Sequence, residues 1–319
     1  MDKLTLKSNL LLLFTATIWG FAFVAQRMGM DYIGPFTYNG IRFALGSLSL
    51  IPLIIFTEKR NRNLQAKSQG LSQGLSQNKS QGLGTKMLLV SSGLVGLALF
   101  MGASLQQVGL VYTTAGKAGF ITGLYVIIVP IMGIFWKQKS DVGTWTGAFL
   151  AAIGLYFLSV TEEFTVSFGD FLEIAGAFFW AGHVLVIGWL SPRTDAIKLA
   201  CLQFATCSIL SMSVGFIIET TTIEGIIQAA IPILYGGFCS VGIAYTLQVV
   251  AQKDAKPAHA AIILCMESPF AALGGWMILG ETMTSRGFFG CGLMLAGMLL
   301  SQLYPFIIRA ITNKAEVVV

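Results

Sequence analysis

Ten apolar runs, each about as long as a lipid bilayer is thick, constrain this chain more than any other feature. They lie at about 9–26, 35–56, 87–111, 117–136, 142–160, 170–190, 196–218, 229–251, 257–279 and 286–308. A helix needs roughly 20 apolar residues to cross the hydrocarbon core, and at that depth only helices and closed barrels satisfy the backbone. The runs are joined mostly by short connections, so they predict an all-α polytopic membrane protein with no water-soluble domain to assign. Only 11% of the residues are charged, against about a quarter in a soluble domain. The first run shows no small-x-small cleavage pattern around Ala25-Gln26-Arg27 and reads as a retained helix.

The charges set the orientation. With the N-terminus in the cytoplasm, sixteen of the twenty Lys and Arg residues fall in inside segments. Arg27, Lys117 and Arg286 are left outside, and Arg42 lies within a run. By the positive-inside rule both termini are cytoplasmic and the number of spans is even. This is the pattern of a multi-pass protein of the cytoplasmic (inner) cell membrane, and the net charge of +5 expresses topology, not nucleic-acid binding. The five cysteines lie within apolar runs, form no C-x-x-C pair and read as small packing residues.

The chain also repeats itself. Trp19 and Trp180, each between an aromatic or apolar residue and a small one, are 161 residues apart, and the same offset sets Arg42 over Gln203. Lys117 and Pro130 match Lys256 and Pro269 at an offset of 139, and Gly147 and Gly154 match Gly290 and Gly297 at 143. The fall in offset reflects an extra polar segment at 63–86, with the period-four tract SQGL-SQGL-SQNK-SQGL at 68–83. Its composition predicts a disordered cytoplasmic loop. Each half carries five spans, an odd number, so the second enters the membrane inverted relative to the first. Inverted repeats are a recurrent plan of secondary transporters, with the substrate site near the midplane where the halves meet.

Several stretches carry a family likeness: IWGFAFVAQR (18–27), YNGIRFALG (38–46), TTAGKAGFITGLYVIIVPIMG (113–133), AHAAIILCMESPFAALGGWMILGE (258–281) and GFFGCGLMLAGMLL (287–300). With these the chain resembles the EamA-type transporters of the drug/metabolite transporter superfamily. It looks like a ten-span member with EamA-like repeats at about 10–160 and 170–305 and a cytoplasmic tail at 309–319. One departure is that Trp136-Lys137-Gln138-Lys139 stands in the first repeat where the second has Leu279-Gly280-Glu281. The resemblance implies export of amino acids or other small metabolites across the cytoplasmic membrane, through a cavity surrounded by spans 1, 3, 4, 6, 8 and 9.

Ionisable groups inside a span are functional candidates by default. Glu267 is the eleventh residue of span 9, about 15 Å into a ~30 Å core. Pro269 lacks an N–H and deprives the Cys265 carbonyl of its usual partner. Pro130 and Pro269 are therefore expected to interrupt spans 4 and 9, and irregular backbone at this depth needs a protein or cavity partner. Glu267 would bind a substrate amine or carry a coupling proton. The alternative is a fixed ion pair with Arg42, which lies roughly 10 Å from the outer end of span 2. The position matching Glu267 in the first repeat is Ile128, so the scaffold does not require a carboxylate there.

Other polar groups share helical faces: Thr15, Trp19, Ala22 and Gln26 in span 1; Gly102, Gln106, Gly109 and Thr113 in span 3; Thr122 and Tyr125 in span 4; Trp180 and His183 in span 6; and Gly242, Tyr245 and Gln248 in span 8. Such faces line a pathway or serve as interhelical glue. As a set they are expected to line a pathway, with Trp19, Gln26, Gln106, Tyr125, Trp180, His183, Tyr245 and Gln248 joining Glu267 in a substrate site. The glycines of spans 5 and 10 suit close packing of these two helices, and Lys117 and Lys256 read as end anchors.

The expected function is a secondary active transporter exporting amino acids or similar amphipathic compounds by alternating access. A proton is the candidate coupling ion, and no cofactor, metal or catalytic residue is expected. Multidrug or cationic-compound efflux is the alternative within the class. An intramembrane enzyme is the alternative outside it, but the chain has no nucleophile elbow and no His-Glu-x-x-His.

Overall fold

The computed structural model describes residues 3–69, 84–159, 167–282 and 284–316, all of them helical or in helix connections. In the first half the helices are α1 (Lys3–Gly29), α2 (Pro35–Gln69), α3 (Thr85–Tyr112), α4 (Ala115–Gly123), α5 (Tyr125–Phe135) and α6 (Val142–Ser159). In the second half α7 (Phe168–Leu190) and α8 (Ala196–Ile218) are followed by a short α9 (Ile223–Gln228). The eighth span is α10 (Ala230–Leu234), a π-helical stretch (Tyr235–Tyr245) and α11 (Thr246–Ala251). The chain closes with α12 (Pro257–Leu264), α13 (Glu267–Leu279) and α14 (Ser285–Glu316).

Among the described residues nine helical segments are long and apolar enough to cross a membrane, and the shorter Val142–Leu158 supplies the tenth apolar helix. The outside of the bundle explains what solvent it needs: Phe135, Phe216, Ile217 and Ile231 are each at least 79% exposed. Side chains of that kind are stable facing lipid tails and costly facing water.

Helix starts follow their capping residues. Ser167 and Asp170 form a reciprocal capping box on α7, Asp195 accepts the Ile197 and Lys198 N–H groups at α8, and Thr114 caps α4. Three expectations shift at this level. The loop expected over 63–86 is helical at both ends, since α2 continues to Gln69 and α3 begins at Thr85, and residues 70–83 lie outside the described residues. The tail expected from 309 continues α14 to Glu316. The interruption of span 4 falls at Leu124, six residues before Pro130 and not at it.

The interruption of span 9 does sit where Pro269 places it. Helix α12 ends at Leu264, and the Cys265 carbonyl, which Pro269 cannot serve, takes the Ser268 N–H at 3.1 Å instead. Both breaks tighten into i→i+3 turns (Leu124 N to Ile121 O and Met266 N to Ile263 O, each 3.1 Å). The two breaks meet. The Ser268 hydroxyl donates to the Gly119 carbonyl at 2.6 Å, and the Cys265 thiol reaches the Gly123 carbonyl at 3.5 Å.

The halves pack as inverted repeats should. Helix α2 runs along its repeat mate α8 and α6 along α14, while α3 on α7 mirrors α1 on the eighth span. The α6–α14 crossing shows the two-fold character in single atoms. A Cβ on Gly147 would lie 2.7 Å from the Gly297 carbonyl oxygen, and one on Gly290 would lie 2.4 Å from that of Gly154. The repeat offset of 143 exchanges these two contacts, and only glycine lets the backbones approach this closely.

Candidate functional site

The helices surround a cavity whose empty space, open solvent included, is about 420 Å³. It is lined by Trp19, Phe23, Gln26, Arg42, Gln106, Thr122, Tyr125, Trp180, Val184, Ser240, Tyr245, Gln248, Leu264 and Glu267. Eight of the nine expected site residues are in this lining, as is Arg42; His183 is absent. Instead His183 is fully buried behind the wall. Its Nε2 lies 2.9 Å from Gln203 Oε1, and its ring is edge-on to Trp180 and Tyr245 at 6.1 and 6.3 Å.

Tyr245 is the hub of the aromatic wall. Its ring lies 4.5 Å from Trp19, 5.9 Å from Phe43 and Phe204, and 6.1 Å from Trp180, with which it stacks. The π-helical stretch before it shapes this wall. It presents the Ser240 carbonyl to the Trp19 indole N–H at 3.3 Å and the Ala244 carbonyl to the Thr15 hydroxyl at 3.2 Å. Such stretches are rare and occur often at functional sites; nothing in the apolar run predicts this one.

Glu267 is the first residue of α13 and only 4% exposed. The Tyr125 phenol stands against it, yet the Tyr125 hydroxyl and Glu267 Oε1 both remain without a partner of hydrogen-bond geometry. The backbone here is crowded: a Cβ on Gly20 would lie 2.2 Å from Phe270 Cβ and 2.8 Å from the Glu267 carbonyl oxygen. Helix α1 therefore holds the start of α13 in place.

Arg42 is 1% exposed. Its Nε donates to Asn39 Oδ1 at 2.9 Å, and its guanidinium lies over the Phe43 and Tyr38 rings at 4.9 and 5.5 Å. Among the described residues neither Arg42 nor Glu267 enters a salt bridge, so the ion pair weighed from the sequence is not formed here. Depth along the two spans is compatible with such a pair, but Asn39 and two aromatic faces hold the guanidinium instead. Nη2 of Arg42 is left without a protein partner.

At one end the cavity is roofed by amides. Gln106 Nε2 donates to Gln26 Oε1 at 3.1 Å, and Gln107 Nε2 to the Gln26 carbonyl at 3.3 Å. The rest of the expected α3 face packs. A Cβ on Gly102 would meet the Trp180 indole at 3.2 Å, and one on Gly109 would meet Glu173 Oε1 at 2.8 Å. Lys117 is no free end anchor: its ammonium lies 2.7 Å from Asp170. Glu281 accepts the N–H groups of Ala115 and Gly116 at 3.0 and 3.2 Å, which ties α13 to the start of α4.

Sequence reasoning misses Glu173. At the fourth position of its run it looks like an end-of-helix carboxylate, but it is 0% exposed, with Oε2 accepting the Thr122 hydroxyl at 3.1 Å and Oε1 unpartnered. Its signal is the glycine opposite, Gly109, which leaves the space it fills. Among the described residues no three or more His, Cys, Asp and Glu side chains gather as a metal site.

On the face rich in Lys and Arg, Asp141 caps α6. Its carboxylate accepts the Thr144 N–H and hydroxyl at 2.8 and 2.9 Å. Partial burial pushes this carboxyl up, but the Thr144 hydrogen bonds and the nearby His259 and Lys256 charges prevail and hold it below the usual range.

The sequence profile described as the EamA-like transporter family matches residues 6–160 and 167–303. The chain is 30% identical over 300 residues to an uncharacterized transporter of Archaeoglobus fulgidus, covering 93% of this chain and 86% of that protein. It is 23% identical over 291 residues to the uncharacterized transporter YoaV of Bacillus subtilis, covering 89% and 92%. A crystal structure superposes with a TM-score of 0.69 at 15% identity, over 93% of this chain and 96% of that one, which shows the fold alone.

Proposed function

The chain belongs to the EamA-like transporter family, and from that premise we propose that it exports amino acids or closely similar zwitterions by alternating access around the central cavity. One observation carries the substrate class. Arg42 and Glu267 both belong to the cavity lining, each carries a buried polar atom without a partner (Nη2 and Oε1), and among the described residues no ion pair joins them. A buried charge without a partner is costly, and a zwitterion offers each of them one: its carboxylate for the guanidinium, its ammonium for Glu267. Trp19, Tyr245 and Trp180 then cover the apolar part of the substrate.

Efflux of lipophilic cations is the competing reading, and Glu267 with its aromatic wall would suit them. Arg42 argues against it, because a cation entering the cavity would meet an uncompensated guanidinium in a medium of low dielectric. The face rich in Lys and Arg is placed in the cytoplasm by the positive-inside rule, with the cell membrane as the site of action. The direction follows the family resemblance, and a proton carried on Glu267 is the proposed coupling ion.

The test is thermal stabilisation of the purified protein across a panel of L-amino acids, their decarboxylated amines and lipophilic cations. A ligand at about 100 times its Kd raises stability by about 2.7 kcal/mol. The expected result is stabilisation by amino acids alone, lost in both Glu267→Gln and Arg42→Gln. Stabilisation by amines or lipophilic cations, unaffected by Arg42→Gln, would overturn the zwitterion reading.

A further inference from the structure

We propose that Glu173 is a second proton-binding carboxylate of the transport cycle, distinct from Glu267 and exchanging its proton with the cavity through Thr122. Glu173 is fully buried on α7, six residues into the helix, so about 8 Å from its start. Among the described residues the elements packed against it bring no free cation. Helix α3 presents Gly109 and α4 presents the Thr122 hydroxyl. The charged groups that act on it are Asp170 and Glu267, both carboxylates, and the nearby Lys117 is bound to Asp170. An ionised Glu173 would be a buried anion held by a single hydrogen bond from Thr122, with no cation of its own. As a neutral acid it has none of that cost, and its second oxygen is free to give or take the proton.

The position suits exchange as well as storage. Thr122 is part of the cavity lining and donates to Glu173 Oε2, so a single hydroxyl separates this acid from the transported space. Tyr125 follows one turn later, across the break at Leu124, and stands against Glu267. On the other side of Glu173, one turn back along α7, Asp170 leads to Lys117 and Thr113 at the bundle face opposite the basic one. A polar series therefore runs from that face through Asp170, Glu173, Thr122 and Tyr125 to Glu267. The step is proton transfer alone: Glu173 gains or loses one O–H bond, with water of the cavity or the Glu267 carboxylate as the other party. Two protonatable sites at different depths permit two protons to move per substrate.

The role in coupling rests on the transporter reading above; the occupancy of the site by a proton does not. Infrared difference spectroscopy of purified protein stepped through pH reads protonated carboxyl groups directly, with no substrate present. Wild type is expected to show the carbonyl stretch of two buried carboxylic acids. Glu173→Gln, which keeps the volume and an acceptor for Thr122, removes one band and leaves the band that Glu267→Gln removes. Thr122→Val shifts the Glu173 band without abolishing it, and serves if Glu173→Gln fails to fold. An unchanged carboxylic-acid region in Glu173→Gln, or an unshifted one in Thr122→Val, overturns the proposal. In proteoliposomes with radiolabelled L-amino acids, Glu173→Gln is expected to keep amino-acid exchange and lose uptake driven by a pH gradient. Gradient-driven uptake at the wild-type rate removes Glu173 from coupling. If wild type moves none of the amino acids, the substrate reading fails while the infrared result still decides whether Glu173 holds a proton.

Discussion

Glu58 and Glu219 hold opposite ends of the same antiparallel helix pair, α2 and α8. Glu58, on α2, lies 2.6 Å from the Lys198 ammonium near the start of α8. Glu219, just after α8, accepts the Phe36 and Thr37 N–H groups at the start of α2, each at 2.8 Å. The two carboxylates are 161 residues apart, and so are Thr37 and Lys198, which is also the offset of Trp19 and Trp180. The latches are therefore repeat mates, one near each end of the α2–α8 pair.

They should differ in strength. Glu219 meets the positive end of a helix dipole with backbone donors, worth about 1 kcal/mol, whereas the Glu58–Lys198 pair is exposed and screened. Glu219→Ala is expected to lower stability by about that amount. It should also hasten reaction of a single cysteine at Gln26, in a cysteine-free background, with an impermeant thiol reagent added from the Glu219 side. Glu58→Ala should leave stability unchanged. Equal labelling with and without Glu219 would show that this contact gates nothing.

Alanine at Gly147 or Gly290 places a methyl against a backbone carbonyl that has no rotamer to yield. Each single substitution is expected to cost about 1–3 kcal/mol in thermal unfolding. The pair Gly147→Ala with Gly297→Ala, at one crossing, should cost less than the sum, since the first methyl already separates the helices. Strict additivity would mean the two helices do not meet there.

Tyr245→Ala removes the ring on which Trp19, Phe43, Trp180, His183 and Phe204 converge, at a cost of about 3–5 kcal/mol. Tyr245→Phe keeps every one of these ring contacts and is expected to keep both the fold and ligand-induced stabilisation. Loss of ligand stabilisation in the Phe variant alone would assign the hydroxyl a direct role.

Asp141 has its folded carboxyl below its ordinary range. A depressed value means that its contribution is fully present above the unfolded pKa, about 4, and is lost as pH falls through the folded one. Asp141→Asn keeps a capping oxygen for Thr144 and should flatten this acid limb, while Asp141→Ala costs about 1 kcal/mol near neutral pH. Melting temperature against pH checks both; an acid limb unchanged in Asp141→Asn would place its origin elsewhere.

How far the site was legible depends on the kind of residue. Glu267 announces itself because a midplane carboxylate has no ordinary reason to be there. Trp19, Gln26, Tyr245 and Gln248 were found through helical spacing, which places side chains on a common face. The same spacing could not tell Gln106, which reaches the cavity, from Gly102 and Gly109, which only let α7 approach. It admitted His183, one turn from Trp180, although that ring points to Gln203. Glu173 was hidden by its place near a helix end, and the π-helical stretch by an apolar run with no mark of altered winding.

Hydropathy and charge, read along the chain alone, determined the spans, the face that carries the basic residues, the inverted repeat and the depth of each polar group. Those properties are one-dimensional, because a membrane helix advances a fixed ~1.5 Å per residue. Only the tertiary structure decided that Arg42 and Glu267 share a cavity without touching, that His183 stands behind its wall, and that Glu173 lies one hydroxyl from it. Those are lateral and rotational relations between helices. In lipid they are set by close backbone approach at small residues and by interhelical hydrogen bonds, for which an apolar sequence carries almost no periodic signal.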